Sequence, residues 1–142
     1  MMLFSQANGR RVVGLTEAEV LGSLAALSVA SAPARVTALK LKGRGPRDVL
    51  AWRQVESFGP DAVTVRAGGE GGDDVQDDEF ESRRDPMGKP VITEDGHCLG
   101  KIVDVEFDGT TGRVQRLMAT DEEIAGERLL GVGGYAVVVR GG

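Results

Sequence analysis

Two stretches of this chain repeat one another, and the repeat limits the fold more than any other feature. Gly9–Val13 (GRRVV) answers Gly88–Ile92 (GKPVI). From Leu21 onward the match runs at a constant spacing of 78. Leu21-Gly22 matches Leu99-Gly100, Leu24 matches Ile102, Leu27 matches Val105, and Val29 matches Phe107. Arg35-Val36 then matches Arg113-Val114, and Leu39 matches Leu117. Near the end, Ala62–Arg66 (AVTVR) answers Ala136–Arg140 (AVVVR). Each half is one copy of a single unit, so the 142 residues divide into two very small domains.

Between the copies lies Gly68–Pro86, GGEGGDDVQDDEFESRRDP. Glycine pairs open it, and Asp73, Asp74, Asp77, Asp78, Glu79 and Glu81 crowd its middle. Like charges extend such a segment, and its apolar content is too low for a core. The expected organisation is a first domain over 1–67, an acidic glycine-rich linker over 68–86 and a second domain over 87–142. A unit of about 60 residues buries only about 60% of the surface its unfolded chain exposes. The two copies are therefore expected to pack on each other or to pair across a homodimer.

The repeat also decides an ambiguous local reading. Thr16–Leu27, TEAEVLGSLAAL, has the composition of a helix. Its counterpart alternates: Leu99, Val103, Val105 and Phe107 share one parity, and Asp104 and Glu106 share the other. That is a strand with one buried face, so Leu21–Val29 is expected to be a strand too. Further strands are expected at Arg10–Leu15, Val36–Leu41, Asp48–Trp52, Ala62–Arg66, Pro90–Thr93, Leu99–Phe107, Arg113–Ala119, Arg128–Gly131 and Tyr135–Val139. Turn residues mark Ala30–Ala34, Gly43–Pro46, Gly59–Asp61, Glu94–His97 and Asp108–Gly112. The 21 glycines fit many tight turns. Gly22 and Gly100 hold matching strand positions, where a glycine commonly allows a bulge or sharp coil. The fold class expected is all-β, as two small, strongly bent antiparallel barrels.

The run Gly88–Val114, GKPVITEDGHCLGKIVDVEFDGTTGRV, resembles the opening of a PRC-barrel domain. The family pattern reads roughly G-x-x-V, then D-G, then G-x-[IV]-x-D-[VL], then T-G-x-[VI]. The first half, from Ala7 to Val36, resembles the same pattern more loosely, and DVLAWRQVESFGPDAVTV matches the family's usual ending. The resemblance implies two PRC-barrel-like units in tandem. It also implies a non-enzymatic adaptor that binds a protein partner through barrel faces or edges. The family contains the cytoplasmic barrel of the photosynthetic reaction centre H subunit and the C-terminal domain of a ribosome maturation factor. A ribosome-assembly or RNA-metabolism accessory role is the alternative it suggests. The motif's glycines and aspartates shape turns and carry no catalytic role.

Charge bears on partners. The net charge is −5, unlike the basic face of a dedicated nucleic-acid binder. Residues 1–67 carry nine basic and five acidic side chains, residues 68–87 two and eight, and residues 88–142 six and nine. The basic first half leaves contact with an anionic partner open. No run has the length of a membrane span or a signal-peptide core. The single cysteine, Cys98, forms no intramolecular disulfide, which fits a reducing cytoplasm.

Few residues carry chemistry. His97 and Cys98 are the one reactive-looking pair, but neighbours on a strand face opposite ways, and no second His or Cys completes a zinc site. His97 is expected beside a solvent turn and Cys98 as a small core residue. Asp104, Glu106, Asp108 and Gly109 imitate the start of a calcium loop, but Gln115 stands where the closing Glu belongs. Gly131–Gly134 lacks the Lys-Ser/Thr of a phosphate loop and reads as a turn. No enzyme, cofactor or metal is expected; a small-ligand or metal-binding barrel is the weakest alternative. Trp52, followed by Arg53, either plugs one end of a core or anchors a partner at the rim.

Overall fold

The computed structural model describes residues 1–43, 48–66 and 82–141. Most of the expected linker and the tip of the expected Gly43–Pro46 turn lie outside the described residues. The first half contributes β1 (Met2–Leu3), a single helical turn α1 (Phe4–Ala7), β2 (Arg11–Gly14), β3 (Val20–Ala30), β4 (Arg35–Lys42), β5 (Val49–Ala51), β6 (Val55–Phe58) and β7 (Ala62–Val65). The second contributes β8 (Pro90–Thr93), β9 (Cys98–Phe107), β10 (Val114–Ala119), β11 (Glu123–Ala125), β12 (Leu129–Val132) and β13 (Val137–Val139). The fold is all-β apart from the α1 turn and three-residue 3-10 turns. Among the described residues no helix is long and apolar enough to cross a membrane.

One sheet runs β5-β4-β3-β2-β7-β6, and the other runs β11-β10-β9-β8-β13-β12 with β1 added beside β9. The two orders are the same order. Each is antiparallel except at one place, where β2 pairs parallel with β7 and β8 with β13. Neither ladder closes by hydrogen bonds. Its outermost strands are consecutive in the chain and are joined by a 3-10 turn, Trp52–Gln54 in the first sheet and Gly126–Arg128 in the second. Equivalent residues differ by 79 in β2 and β8, by 78 through β3–β4 and β9–β10, and by 74 from β5 and β11 onward.

Irregularities recur at equivalent positions as well. Leu24 faces Leu41 and Ala26 faces Lys40, so Ala25 is an extra residue in β3. Ile102 faces Ala119 and Asp104 faces Met118, so Val103 is extra in β9. Thr37 and Gln115 are the corresponding extra residues in β4 and β10. Each such bulge resets the inward-outward alternation. Ile102 and Val105 are therefore both buried, while Val103 is 51% exposed. The expectation that Val103 shares a buried parity with Val105 and Phe107 fails for this reason. Cys98 is also exposed rather than part of the core. It opens β9 opposite Ile92, and its neighbour Leu99, on the opposite face of the strand, is the residue that packs against the core.

The halves share one hydrophobic cluster that includes Leu24, Leu27, Val29 and Leu39 from the first and Ile102, Val105, Phe107 and Leu117 from the second. They also exchange their leading segments. β1 pairs with β9, Met2 opposite Phe107 and Leu3 opposite Glu106. α1 then lies on β9 with Phe4 and Ala7 buried, and the Ser5 N–H and hydroxyl both donate to the Asp104 carboxylate. Reciprocally, the 3-10 turn Ser82–Arg84 that leads into the second half lies on β3.

Candidate functional site

The seam between the halves has a local two-fold arrangement. The Val36 N–H donates to Gly112 O at 2.8 Å, and the Val114 N–H donates to Ala34 O at 2.9 Å. Val36 is the equivalent of Val114, and Ala34 of Gly112, at the spacing of 78. Arg35 and Arg113, also equivalents, form the antiparallel bridge between these two bonds. Each half thus offers the other the same backbone atoms, as the subunits of a two-fold dimer do.

On one side of this seam the space is filled by three aromatic rings. Trp52, in the 3-10 turn after β5, stacks on Phe58 with centroids 5.5 Å apart and planes at 16°. Phe107 of the other half meets both rings edge-on, at 6.2 Å from Trp52 and 5.4 Å from Phe58. These are the favoured offset and T-shaped geometries. Gly112 (φ +81°) lies beneath the indole, and a β-carbon there would stand 2.8 Å from Trp52 Cε2. The Asp108–Gly112 turn that presents Gly112 is held by Asp108, whose Oδ1 accepts from Thr110 N–H at 2.7 Å and Thr111 N–H at 3.2 Å. Those two bonds hold the Asp108 carboxyl below the ordinary carboxylate range.

On the other side the equivalent residues are small. Gly126 stands in the place of Trp52, Val132 in that of Phe58 and Val29 in that of Phe107. An open groove of about 660 Å³ lies there, in the size range of ligand-binding clefts. Its floor and walls include Ala32, Pro33 and Ala34 from the first half and Gly126, Leu129 and Leu130 from the second. A β-carbon on Gly126 would fall 2.1 Å from Val114 O, so only glycine lets this turn sit so closely on β10. Leu130 is 44% exposed, and the Ser31 hydroxyl donates to its carbonyl at 2.9 Å across the seam. Arg113, Gln115, Glu127 and Arg140 supply the polar part of the lining.

The residues singled out from sequence fall elsewhere. Trp52 is half-buried in the filled side of the seam, and Arg53 beside it is exposed. His97 is exposed in the expected turn, its N–H donating to Thr93 Oγ1 at 3.0 Å. The three carboxylates of the calcium-like spacing serve separate structural tasks. Asp104 holds Ser5, Glu106 pairs with Arg116 at 2.9 Å, and Asp108 holds its own turn. Among the described residues no three His, Cys, Asp or Glu side chains are grouped for a metal. Gly131–Gly134 belongs to the β12–β13 hairpin, where Gly133 N–H donates to Ala136 O at 3.0 Å. The groove was missed because no residue in it has reactive chemistry. Its signal is comparative: glycine in the second copy at the position of the only tryptophan.

No match to a curated protein is found. Residues 78–141 match the family model of the PRC-barrel domain, which puts the family likeness on the half that supplies Gly126, Leu129 and Leu130 to the groove.

Proposed function

We propose that the chain is a non-enzymatic adaptor made of two tandem PRC-barrel-like units, and that it binds a protein partner at the seam between them. The observation that carries this reading is the unequal seam. One side is closed by Trp52, Phe58 and Phe107, and the equivalent side is an open groove with exposed Leu130 on its lip. The match over 78–141 supports the PRC-barrel reading of the second unit. The shared strand order supports the same reading of the first. The side chains around the seam hold backbone and one another in place, which suits a binding scaffold.

The test is a tagged pull-down of the full chain from lysate of the native organism, at moderate salt and after nuclease treatment, with mass spectrometry. A protein recovered in stoichiometric amount supports the adaptor. Recovery of the bait alone, or of a partner that disappears with nuclease, overturns it.

A further inference from the structure

We infer that the two-fold seam binds a phosphate monoester between Arg35 and Arg113. This goes beyond the adaptor reading, because it names a charged group that the seam takes whether or not a protein carries it. The geometry begins at the bridge between the halves. Its two hydrogen bonds, Val36 N–H to Gly112 O and Val114 N–H to Ala34 O, are made by the residues on either side of Arg35 and Arg113. The two arginines are thus the close, non-hydrogen-bonded kind of antiparallel pair. In such a pair the Cα atoms lie about 4.5 Å apart and the side chains leave the same face. Ala34, Val36 and Val114 point into the core, so both arginines point away from it, and both are exposed.

Like charges placed directly opposite one another destabilise a sheet. The chain has 22 acidic side chains, but among the described residues none forms an ion pair with Arg35 or Arg113. Backbone holds Arg35 instead. Its Nη1 donates to the carbonyls of Ser31 and Pro33, at 3.0 and 2.9 Å. That leaves the Nε–Nη2 edge of the guanidinium, a fork that takes two oxygens side by side. A group already held in place loses little freedom on binding. Arg113 brings a second guanidinium to the same face, and it also lines the open groove, which gives room for whatever the phosphate is esterified to. Charge selects the ligand. A carboxylate has one charge and two oxygens, which a single fork satisfies. A phosphate monoester carries about −1.5 to −2 at neutral pH and three acceptor oxygens, enough for both arginines. A nucleic-acid backbone is a long polyanion, which a chain of net charge −5 repels.

The experiment titrates the full chain, labelled with nitrogen-15, at constant ionic strength balanced with sodium chloride. The probes are inorganic phosphate and three short blocked glycine peptides, one with phosphoserine, one with serine and one with aspartate at its centre. The expected result is saturable shifts of the Arg35, Val36, Arg113 and Val114 amides with phosphate and with the phosphoserine peptide. The aspartate peptide is expected to bind about fivefold more weakly or worse, and the serine peptide not at all. Equal affinity for phosphate and the phosphoserine peptide assigns the seam to a small free phosphate. Tighter binding of the peptide assigns it to a phosphorylated segment. Arg113→Gln is expected to weaken binding about fivefold or more, and Arg113→Lys, which keeps the charge and loses the fork, about threefold. Arg140→Gln removes a groove cation away from the bridge and is expected to leave affinity within about twofold. All of these side chains are exposed, and near-UV dichroism checks that each variant is folded. Four results overturn the inference: no saturable binding of phosphate or the phosphoserine peptide, equal binding of the aspartate peptide, affinity unchanged by Arg113→Gln, or an equal loss with Arg140→Gln, which would show only a diffuse attraction for anions.

Discussion

At Gly112 two constraints meet in one residue. The backbone is left-handed at φ +81°, a conformation that costs other residues roughly 1–2 kcal/mol, and the indole of Trp52 occupies the space of a side chain. Gly112→Ala is therefore expected to destabilise the chain by about 1–3 kcal/mol and to displace the only tryptophan. Chemical denaturation reads the first effect, and a red shift of the emission reads the second. An unshifted spectrum would mean that Trp52 does not rest on this turn. A different residue sets a pH dependence. Burial raises the Asp85 carboxyl above the ordinary value of 3.8, against the opposing effects of the Met87 N–H it accepts and of nearby Lys89. Between 3.8 and the raised value the folded chain holds a proton that the unfolded chain has lost, so this group's contribution falls as pH rises through that window. Asp85→Asn keeps an acceptor for Met87 and removes the charge. The variant is expected to melt higher than the parent at neutral pH, with the gap closing as pH falls toward 3.8. A gap that does not change with pH would show that the carboxyl is not desolvated.

At the scale of elements, the strands were legible where glycine, proline and aspartate punctuate them. Pro90–Thr93 forms as expected, and the long strand over Leu21–Val29 forms despite its helical composition, because the packing that its repeat partner also experiences outweighs propensity. The short β11 and β6 carry too few residues for a period, and β1 and α1 depend on β9, far along the chain, with Met2 opposite Phe107, so local pattern does not announce them. Bulges are hidden for a related reason: an extra residue shows only in the pairing, and at β9 it turns Val103 outward and Ile102 inward. That arrangement gives a paired test. Ile102→Ala is expected to cost about 2–5 kcal/mol as a buried truncation, whereas Val103→Ala is expected to stay within about 0.5 kcal/mol. Urea unfolding of both variants distinguishes a bulged β9 from a regular one, in which Val103 would be the costly position. The same contrast explains the groove. Its residues are ordinary glycine, alanine, proline and leucine, and the one mark it leaves in the sequence is Gly126 at the position equivalent to Trp52.

For the whole molecule the decisive feature is the exchange of leading segments around the seam. Cutting the chain between the halves removes β1 and α1 from β9, which strips hydrogen bonds from Phe107 and Glu106 and exposes the ring that Trp52 and Phe58 cover. It also leaves Val114 N–H and Gly112 O without their partners. A unit of about 60 residues has little surplus stability to absorb such losses. Residues 82–142 alone are therefore expected to lack a folded monomeric state, while the intact chain unfolds in one cooperative transition. Because the seam is two-fold, any folded form of the isolated fragment is expected to be a dimer that rebuilds the Arg113 bridge with its own copy, since each half already presents what the other accepts. Adding residues 1–66 is expected to displace that self-pairing, because only the first half brings Trp52 and Phe58 to Phe107. Sedimentation and amide spectra of the fragment, alone and mixed, decide the matter. A dispersed spectrum from a monomeric fragment, unchanged on mixing, would show that each unit holds its own core and that the seam only brings two finished domains together.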